Sequence, residues 1–266
     1  MNGWSSPSFA AKYGPPAALI TGLVLLWAVA VRLFNVPAWL LPAPGSILQV
    51  LWHNWPYLLP HVGQTLQQAL LGLVAATIAG ITLAGLIDLS PWLRRSLYPL
   101  LVASQTVPIL ALAPLLIVWF GFGLTPKVLI VALFCFFPIA INTADGLDSA
   151  DPELLSLLRA MGARRSQTWR KVRLPASLPY FFSGLRIAAT YSVVGAIIGE
   201  WVGAERGLGI YMLRSANAFR TDQVFAAIFI STLLSLMLFL AVSLAERLLL
   251  PWYHSEQRGN QWQGVG

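Results

Sequence analysis

The sequence predicts an all-α membrane protein, a polytopic helical bundle with six transmembrane helices. Hydrophobic residues occupy 57% of the 266 positions and charged residues only 10%, whereas soluble domains contain about 45–50% and about 25% of these classes. The mean hydropathy is +0.70. This composition excludes a disordered chain and makes a single soluble core implausible. Long uninterrupted apolar runs, without the alternation typical of membrane β-barrels, predict helices.

Six apolar runs are long enough to cross a bilayer, which takes about 20 helical residues. They cover residues 17–34, 62–87, 96–120, 128–147, 178–202 and 224–250. The first run could be a signal peptide, but the bulky Trp27 and the continuation of the run to Phe34 favour an uncleaved anchor. We expect a short helix or re-entrant turn at 203–223, between the last two runs.

The distribution of basic residues predicts that both termini are cytoplasmic. With this orientation, eleven of the 17 Lys and Arg residues lie on the inner side, five lie on the outer side, and Arg186 lies within a span. Cytoplasmic loops of membrane proteins carry such an excess, so the net charge of +7 is a topology signal and does not indicate nucleic-acid binding. We expect an anchor helix and extracytoplasmic segment at 1–61, a core at 62–252 and a cytoplasmic tail at 253–266.

Small residues recur at four-residue spacing on two spans, so they share a helix face. They include Gly72 and Gly80 on the second span, and Gly195, Gly199 and Gly203 on the fifth. Small residues let membrane helices approach closely. The pattern predicts either packing within one bundle or a face shared with a second subunit or a moving gate.

Several residues are candidates for a translocation pathway. Pro108 and Pro114 each remove a backbone hydrogen bond from the third span, which predicts either a static kink or a pathway-lining helix. Arg186 and Glu200 are intramembrane charges; Arg186 could instead snorkel to the interface, and Glu200 could be a solvated carboxylate at the outer rim. Tyr191 lies on the same span.

Motifs for catalysis and metal binding are missing from the sequence. There is no GxxxxGK[ST] phosphate loop, no HExxH and no CxxC, so we predict no nucleotide site, no metal site and no enzymatic activity in this chain. The single cysteine, Cys135, cannot form an internal disulfide.

The segment 151–175, DPELLSLLRAMGARRSQTWRKVRLP, carries the most specific signals. Asp151 is a good N-cap and Pro152 suits the first helical position. The apolar residues from Leu154 to Met161 predict one stripe, and Gly162 predicts a left-handed C-terminal cap. A second short helix, over about 164–172, is expected to stop at Leu174-Pro175.

The spacing of Gly162, nine residues, Val172, one residue and Leu174-Pro175 resembles the EAA signature of permease subunits of bacterial ATP-binding-cassette importers. The Glu-Ala-Ala of that signature is replaced here by Ser156, Leu157 and Leu158. The stretches 183–212 and 224–252 are similar to the sulfonate, nitrate and taurine branch. Residues 105–123 and 191–201 look most like permeases for pyrimidine precursors of thiamine, with riboflavin also open.

This resemblance implies a type I importer permease with a MetI-like fold in the bacterial inner membrane. Two permease chains, expected to be identical, would form the pathway; an extracytoplasmic solute-binding protein would deliver the substrate, and a dimer of cytoplasmic ATPases would bind ATP and Mg²⁺. The implied ATPase interface contains Leu157, Leu158, Met161, Gly162, Ala163, Trp169, Val172, Leu174 and Pro175. Two alternatives are a lipid-binding membrane-surface assembly protein and a secondary transporter, the latter disfavoured by the lack of paired intramembrane carboxylates.

Overall fold

The computed structural model describes residues 9–253, with side chains from residue 14 onward. The expected cytoplasmic tail therefore lies outside the described residues, apart from Tyr253. In chain order the helices are α1 (Phe9–Leu33), α2 (Pro44–His53), α3 (Trp55–Leu89), α4 (Pro91–Ser104), α5 (Ile109–Phe120), α6 (Leu124–Asp148), α7 (Pro152–Ala160), α8 (Arg165–Thr168), α9 (Leu174–Trp201), α10 (Leu208–Asn217) and α11 (Thr221–Leu249). A π turn, Trp169–Arg173, lies between α8 and α9.

Five of these helices, α1, α3, α6, α9 and α11, contain stretches long and apolar enough to cross a membrane. A sixth span results if the bent pair α4 and α5 is counted as one. The predicted all-α membrane bundle is confirmed. The short helix expected between the last two spans is also confirmed, because α10 lies there.

The third span is not one kinked helix but two helices at an angle of 95°. Pro108 is the N-cap residue of α5, a position where its missing N–H removes no helical hydrogen bond. Pro114 lies inside α5, which continues through it. The prediction that each proline removes a helical hydrogen bond therefore holds for Pro114, inside α5, and is wrong for Pro108, which lies at the break.

Hydrogen bonds fasten α4 to the end of α6. The Tyr98 hydroxyl donates to Asp145 Oδ1 at 2.9 Å, and Arg94 forms an ion pair with Asp148 at 2.8 Å. These contacts give α4 a defined position on the neighbouring span. The contacts between α4 and α6 are polar because α4 is less apolar than α5.

The stretch 35–61, expected to be an extracytoplasmic segment without spans, contains α2 and the first seven residues of α3. Pro44 begins α2, where a proline costs no helical hydrogen bond, and Pro56 occupies the equivalent first turn of α3. The second span thus begins at Trp55 instead of residue 62. The apolar-run criterion failed here because prolines and polar residues interrupt the run, whereas they do not interrupt the helix.

The chain divides into two compact units. The first comprises residues up to Leu59 together with Tyr211–Phe229; within it the rings of Trp27 and Phe225 lie 5.7 Å apart. The second comprises Pro60–Ile210 and the residues from Ile230 onward. Compact units need not coincide with sequence domains, so the expected boundaries at 61 and 252 stay predictions.

Small residues hold the second unit together, as the sequence predicted. A Cβ on Gly80 would lie 2.9 Å from Ile139 Cγ2, and one on Gly195 would lie 3.1 Å from Val131 Cα. Gly72 approaches Val131 still more closely, whereas a Cβ on Gly199 would lie 3.4 Å from Lys127 Cα, an ordinary contact distance. The glycine faces of α3 and α9 therefore pack on α6 of the same chain. Gly203 does not share this face, because it follows the end of α9 and belongs to the next turn.

The helical stretch that begins at α8 continues through the π turn into α9 without a break. The expectation that Leu174-Pro175 ends the short second helix is wrong: α8, the π turn and α9 form one continuous helical stretch, 165–201. A proline ring clashes with the carbonyl four residues earlier in a regular α-helix. Here the wider π turn lies at that position, and Pro175 takes the first-turn position of α9.

Candidate functional site

The segment 151–175, which we call the coupling segment, begins with a capped helix. The Asp151 side chain accepts a hydrogen bond from the Glu153 N–H at 2.8 Å, and Pro152 occupies the first helical position. Both features were predicted and are confirmed. Because N-cap residues satisfy backbone donors that the helix cannot, α7 starts at a defined residue.

The end of α7 is a glycine turn. Gly162 has φ of +79°, a left-handed conformation that favours glycine. Its N–H donates to the Arg159 carbonyl, and the Ala163 N–H donates to the Leu158 carbonyl, each at 3.0 Å. This is a Schellman motif, so the predicted left-handed cap is confirmed.

The apolar residues of α7 and its C-cap, Met161, differ in exposure. Leu155 is buried, whereas Leu154, Leu157 and Met161 are 41%, 57% and 74% exposed. Leu158 is half-buried between the two sets. The stripe expected from the sequence is therefore buried along the edge that contains Leu155 and exposed along the opposite edge. The exposed face, at positions i, i+3 and i+7 of a helix, contains Leu154, Leu157 and Met161.

The other predicted interface residues lie mostly behind this face. Ala163 and Trp169 are half-buried and, together with Leu155, line a cavity of about 360 Å³. Val172 and Pro175 are half-buried as well, and Leu174 is 36% exposed. The exposed part of the predicted set thus consists of Leu157, Met161, Gly162 and Leu174.

An aspartate that the sequence analysis did not identify anchors the coupling segment. Asp88, near the end of α3, accepts a hydrogen bond from the Trp169 indole N–H at 3.0 Å on Oδ2 and forms an ion pair with Arg173 through Oδ1. Arg165 donates to the Leu89 carbonyl at 2.6 Å. Cations are favoured at helix C-termini. The sequence signal that could have identified Asp88 is that it is a lone acidic residue at the end of a span in a chain that also contains a basic segment.

A second polar cluster, the Glu200 cluster, lies at the other end of α9. Glu200 is completely buried. Its Oε1 accepts from the Thr65 hydroxyl at 2.8 Å, and its Oε2 accepts from the Gly209 N–H at 2.7 Å. A solvated position at the rim is therefore wrong for Glu200, and in this conformation its carboxylate is occupied by groups of its own chain.

The turn before α10 closes over this carboxylate. The Leu208 N–H donates to Thr65 Oγ1 at 2.9 Å, and His61 Nδ1 lies 3.0 Å from the Gly207 nitrogen. Gly207 has φ of +139°, and a Cβ there would collide with the Glu200 carboxylate. The Gly207-Leu208-Gly209 motif therefore serves to let a backbone turn approach a buried acid.

Arg186 is paired within the chain. Its guanidinium forms an ion pair with Glu246 of α11 at 3.0 Å and donates to Ser183 Oγ at 3.1 Å. The side chain of Glu246 is only 4% exposed. Arg186 thus pairs with a buried carboxylate on another helix while 32% of its own side chain stays exposed, and its snorkelling to the interface stays a prediction. The sequence does not pair the two residues, since they lie on different spans.

The remaining pathway candidates are exposed in the single chain. Tyr191 is 47% exposed, and it follows Ile187 and precedes Val194 on the same exposed face of α9. Pro108 and Pro114 are also exposed. Among the described residues, no group of three or more His, Cys, Asp and Glu side chains is placed to hold a metal ion.

Comparison with known proteins identifies the family. Residues 70–253 match the family model described as the binding-protein-dependent transport system inner membrane component. The formylaminopyrimidine transport permease protein ThiX of Halalkalibacterium halodurans is 39% identical over 238 residues, covering 89% of this chain and 95% of the relative. The riboflavin transport system permease protein RibX of Chloroflexus aurantiacus is 37% identical, covering 90% of each chain.

The sulfonate branch and the fold are supported by two further matches. The putative aliphatic sulfonates transport permease protein SsuC of Bacillus subtilis is 33% identical, covering 92% of this chain and 90% of the relative. A structure of the MetNI methionine ABC transporter in an inward-facing conformation matches with a TM-score of 0.64 at 21% identity, covering 75% of this chain and 97% of that chain. The chain therefore belongs to the family of inner membrane components of binding-protein-dependent transport systems, the permease subunits of ATP-binding-cassette importers.

Proposed function

We propose that this chain forms, with a second copy of itself, the translocation pathway for a small heterocyclic nutrient of the formylaminopyrimidine class. The relative at 39% identity, which is named for formylaminopyrimidine transport, supports this substrate class. Riboflavin and aliphatic sulfonates, named for the other two relatives, are the competing substrates. A solute-binding protein delivers the nutrient, and a partner ATPase binds ATP and Mg²⁺.

The exposed apolar face of α7 carries the proposal. Leu157 and Met161 expose more than half of their side chains to solvent or to a partner. A helix laid into a groove gains affinity from apolar anchors at this spacing. The Gly162 turn and the anchor at Asp88 present the face in a fixed orientation. We assign it to a cleft on the ATPase.

Substitutions on α7 test ATPase docking. Leu157→Glu places a charge in the middle of the exposed face, so the ATPase should no longer copurify with the chain from detergent-solubilised membranes. Ser156→Glu adds the same charge at the adjacent exposed residue, off that face, and should retain the ATPase. Equal ATPase content in both preparations would contradict docking through this face and would favour the lipid-surface alternative.

Gly162 provides a second test of the same docking. Asn and Asp both tolerate the left-handed conformation better than other residues, so Gly162→Asn and Gly162→Asp differ mainly in charge. The turn is open, with nothing within 4 Å of an added Cβ. We expect Gly162→Asp to lose transport and the ATPase while it still inserts in the membrane, and Gly162→Asn to retain most of both. Transport by an intact Gly162→Asp complex would refute the docking role.

The pathway is assigned to the exposed face of α9 around Tyr191 and to the break at Pro108. These residues are exposed in the single chain, which leaves them available to a solute or a second copy. Recovery of two differently tagged copies in one complex tests the homodimer. Uptake of radiolabelled formylaminopyrimidine that is competed by riboflavin or by a sulfonate tests the substrate class and identifies the alternative.

The orientation with both termini inside rests on the excess of Lys and Arg on one side. Cysteine labelling in intact cells tests it, since the native Cys135 is buried. An impermeant maleimide should react with His53→Cys, on α2, and should reach Ser166→Cys, on α8, only after the membrane is made permeable. Both native residues are exposed. The opposite pattern of labelling would reverse the topology.

A further inference from the structure

One helix, α3, is fastened at both of its ends to the two polar clusters of the second unit. Near its C-terminus, Asp88 binds Trp169 and Arg173 of the coupling segment, and the Leu89 carbonyl binds Arg165. These partners lie 76 to 85 residues away along the chain. The coupling segment is therefore tied to α3 by three donors that converge on two adjacent residues.

The other end of α3 carries the partners of the turn before α10. Thr65 donates to Glu200 at 2.8 Å and accepts from the Leu208 N–H at 2.9 Å. One helical turn earlier, the ring of His61 binds the Gly207 backbone. Both side chains are at least 95% buried, so solvent does not compete for these hydrogen bonds.

Between its two anchors α3 is continuous. It contains no proline after Pro60, and about 27 residues at a rise of 1.5 Å correspond to about 40 Å. Close packing of Gly72 and Gly80 on α6 supports the helix along this length. Packed interiors resist compression and transmit displacement.

We propose that α3 is the strut that carries movement of the coupling segment to the turn at 202–209, with Asp88 and Thr65 as the positioning residues at its two ends. The inference rests on the proposed function, in which the coupling segment moves with the ATPase. Nucleotide binding on one side of the membrane then changes the position of the turn that a solute-binding protein meets on the other side.

The experiment uses the complex of this chain with the ATPase that copurifies with it, reconstituted in lipid nanodiscs. Glu205→Cys places a reporter on the exposed part of the turn, and the buried Cys135 contributes no background. The rate of maleimide labelling is measured without nucleotide and with ATP and vanadate. We expect the rate to change at least threefold when nucleotide is trapped.

Asp88→Ala in the reporter background should abolish this change in those complexes that retain the ATPase, which are isolated through a tag on the ATPase. Asp148→Ala is the matched control. It also breaks an ion pair of a span-end aspartate, that of Arg94 with Asp148, but leaves the contacts of α3 intact, so the labelling change should persist. Asp88→Glu retains a carboxylate and should therefore retain at least part of the nucleotide-dependent change in labelling rate.

If Asp88→Ala does not yield a folded complex, Trp169→Phe removes only the indole N–H that binds Asp88, and the labelling change should be reduced. A full labelling change in both Asp88→Ala and Trp169→Phe would overturn the strut, as would a rate that nucleotide does not alter in the parent complex. Failure of the proposed function is distinguishable, because no ATPase would then copurify with the chain.

Discussion

The buried Glu200 should stabilise the protein through two hydrogen bonds whose loss can be estimated. The carboxylate is fully buried and accepts from Thr65 and from the Gly209 N–H at 2.8 and 2.7 Å. Hydrogen bonds to charged groups contribute about 1.5–3 kcal/mol each, against about 0.5–1.5 kcal/mol for neutral pairs. Substitutions of Glu200 can therefore separate the contribution of its charge to stability from the contribution of its shape.

Glu200→Gln keeps the shape and one carbonyl oxygen. That oxygen can accept from the Gly209 N–H, while the amide group faces Thr65 Oγ1, whose hydroxyl can then donate to the His61 carbonyl at 3.1 Å. All groups stay paired, and each of the two hydrogen bonds loses about 1 kcal/mol, the difference between a charged and a neutral partner, so the cost is about 2 kcal/mol. Glu200→Leu removes both hydrogen bonds and leaves the buried Gly209 N–H without an acceptor, so it should cost about 3–6 kcal/mol.

The assay is thermal unfolding of the purified chain in detergent, followed by fluorescence-detected size exclusion. A loss of 1 kcal/mol lowers the Tm of a chain of this size by roughly 2–4 °C. Glu200→Leu should therefore lower the Tm about twice as much as Glu200→Gln does. Glu205→Gln, at the exposed neighbour, is the control and should leave Tm unchanged. A Glu200→Leu variant as stable as the wild type would refute this reasoning, because the desolvation of the carboxylate would then outweigh its hydrogen bonds.

Two further predictions concern the packing of the second unit. Gly184→Ala should cost about 1–3 kcal/mol of stability through overpacking, since its Cβ would collide with the Pro138 carbonyl. Gly85→Ala has nothing within 4 Å of the added Cβ and should be neutral or stabilising by up to about 1 kcal/mol. Thermal unfolding of both variants measures the difference, and equal shifts in Tm would contradict the packing. Arg186→Met leaves the buried carboxylate of Glu246 without its ion-pair partner and should cost about 3–5 kcal/mol of stability. The double variant with Glu246→Met should regain most of this loss. A double variant less stable than Arg186→Met would disprove the pairing.

The sequence predicted best what depends on neighbouring residues. Asp151 as the N-cap and Gly162 as the left-handed cap are local features, because each acts on the backbone within a few residues. The small-residue faces of Gly72 and Gly80 could also be predicted, since a four-residue spacing defines a face. The spans themselves follow from the length of the apolar runs.

Features that depend on distant parts of the chain could not be predicted. Asp88 and Trp169 lie 81 residues apart, and no spacing rule relates them. Pro108 and Pro114 have the same missing N–H, so the sequence could not tell which one separates two helices and which one lies inside a helix. Leu155 and Leu157 are equally apolar, and only the position of α7 in the fold buries one and exposes the other.

The bend between α4 and α5 has a consequence for how the protein is inserted in the membrane. Their 14 and 12 residues correspond to about 21 and 18 Å at 1.5 Å per residue, so neither half bridges a hydrocarbon core of about 30 Å. The backbone groups freed at the bend need protein or water around them. The partners of α4, Asp145 and Asp148, belong to α6, which the ribosome synthesises later. During synthesis, α4 therefore lacks both of these polar partners until α6 has been made.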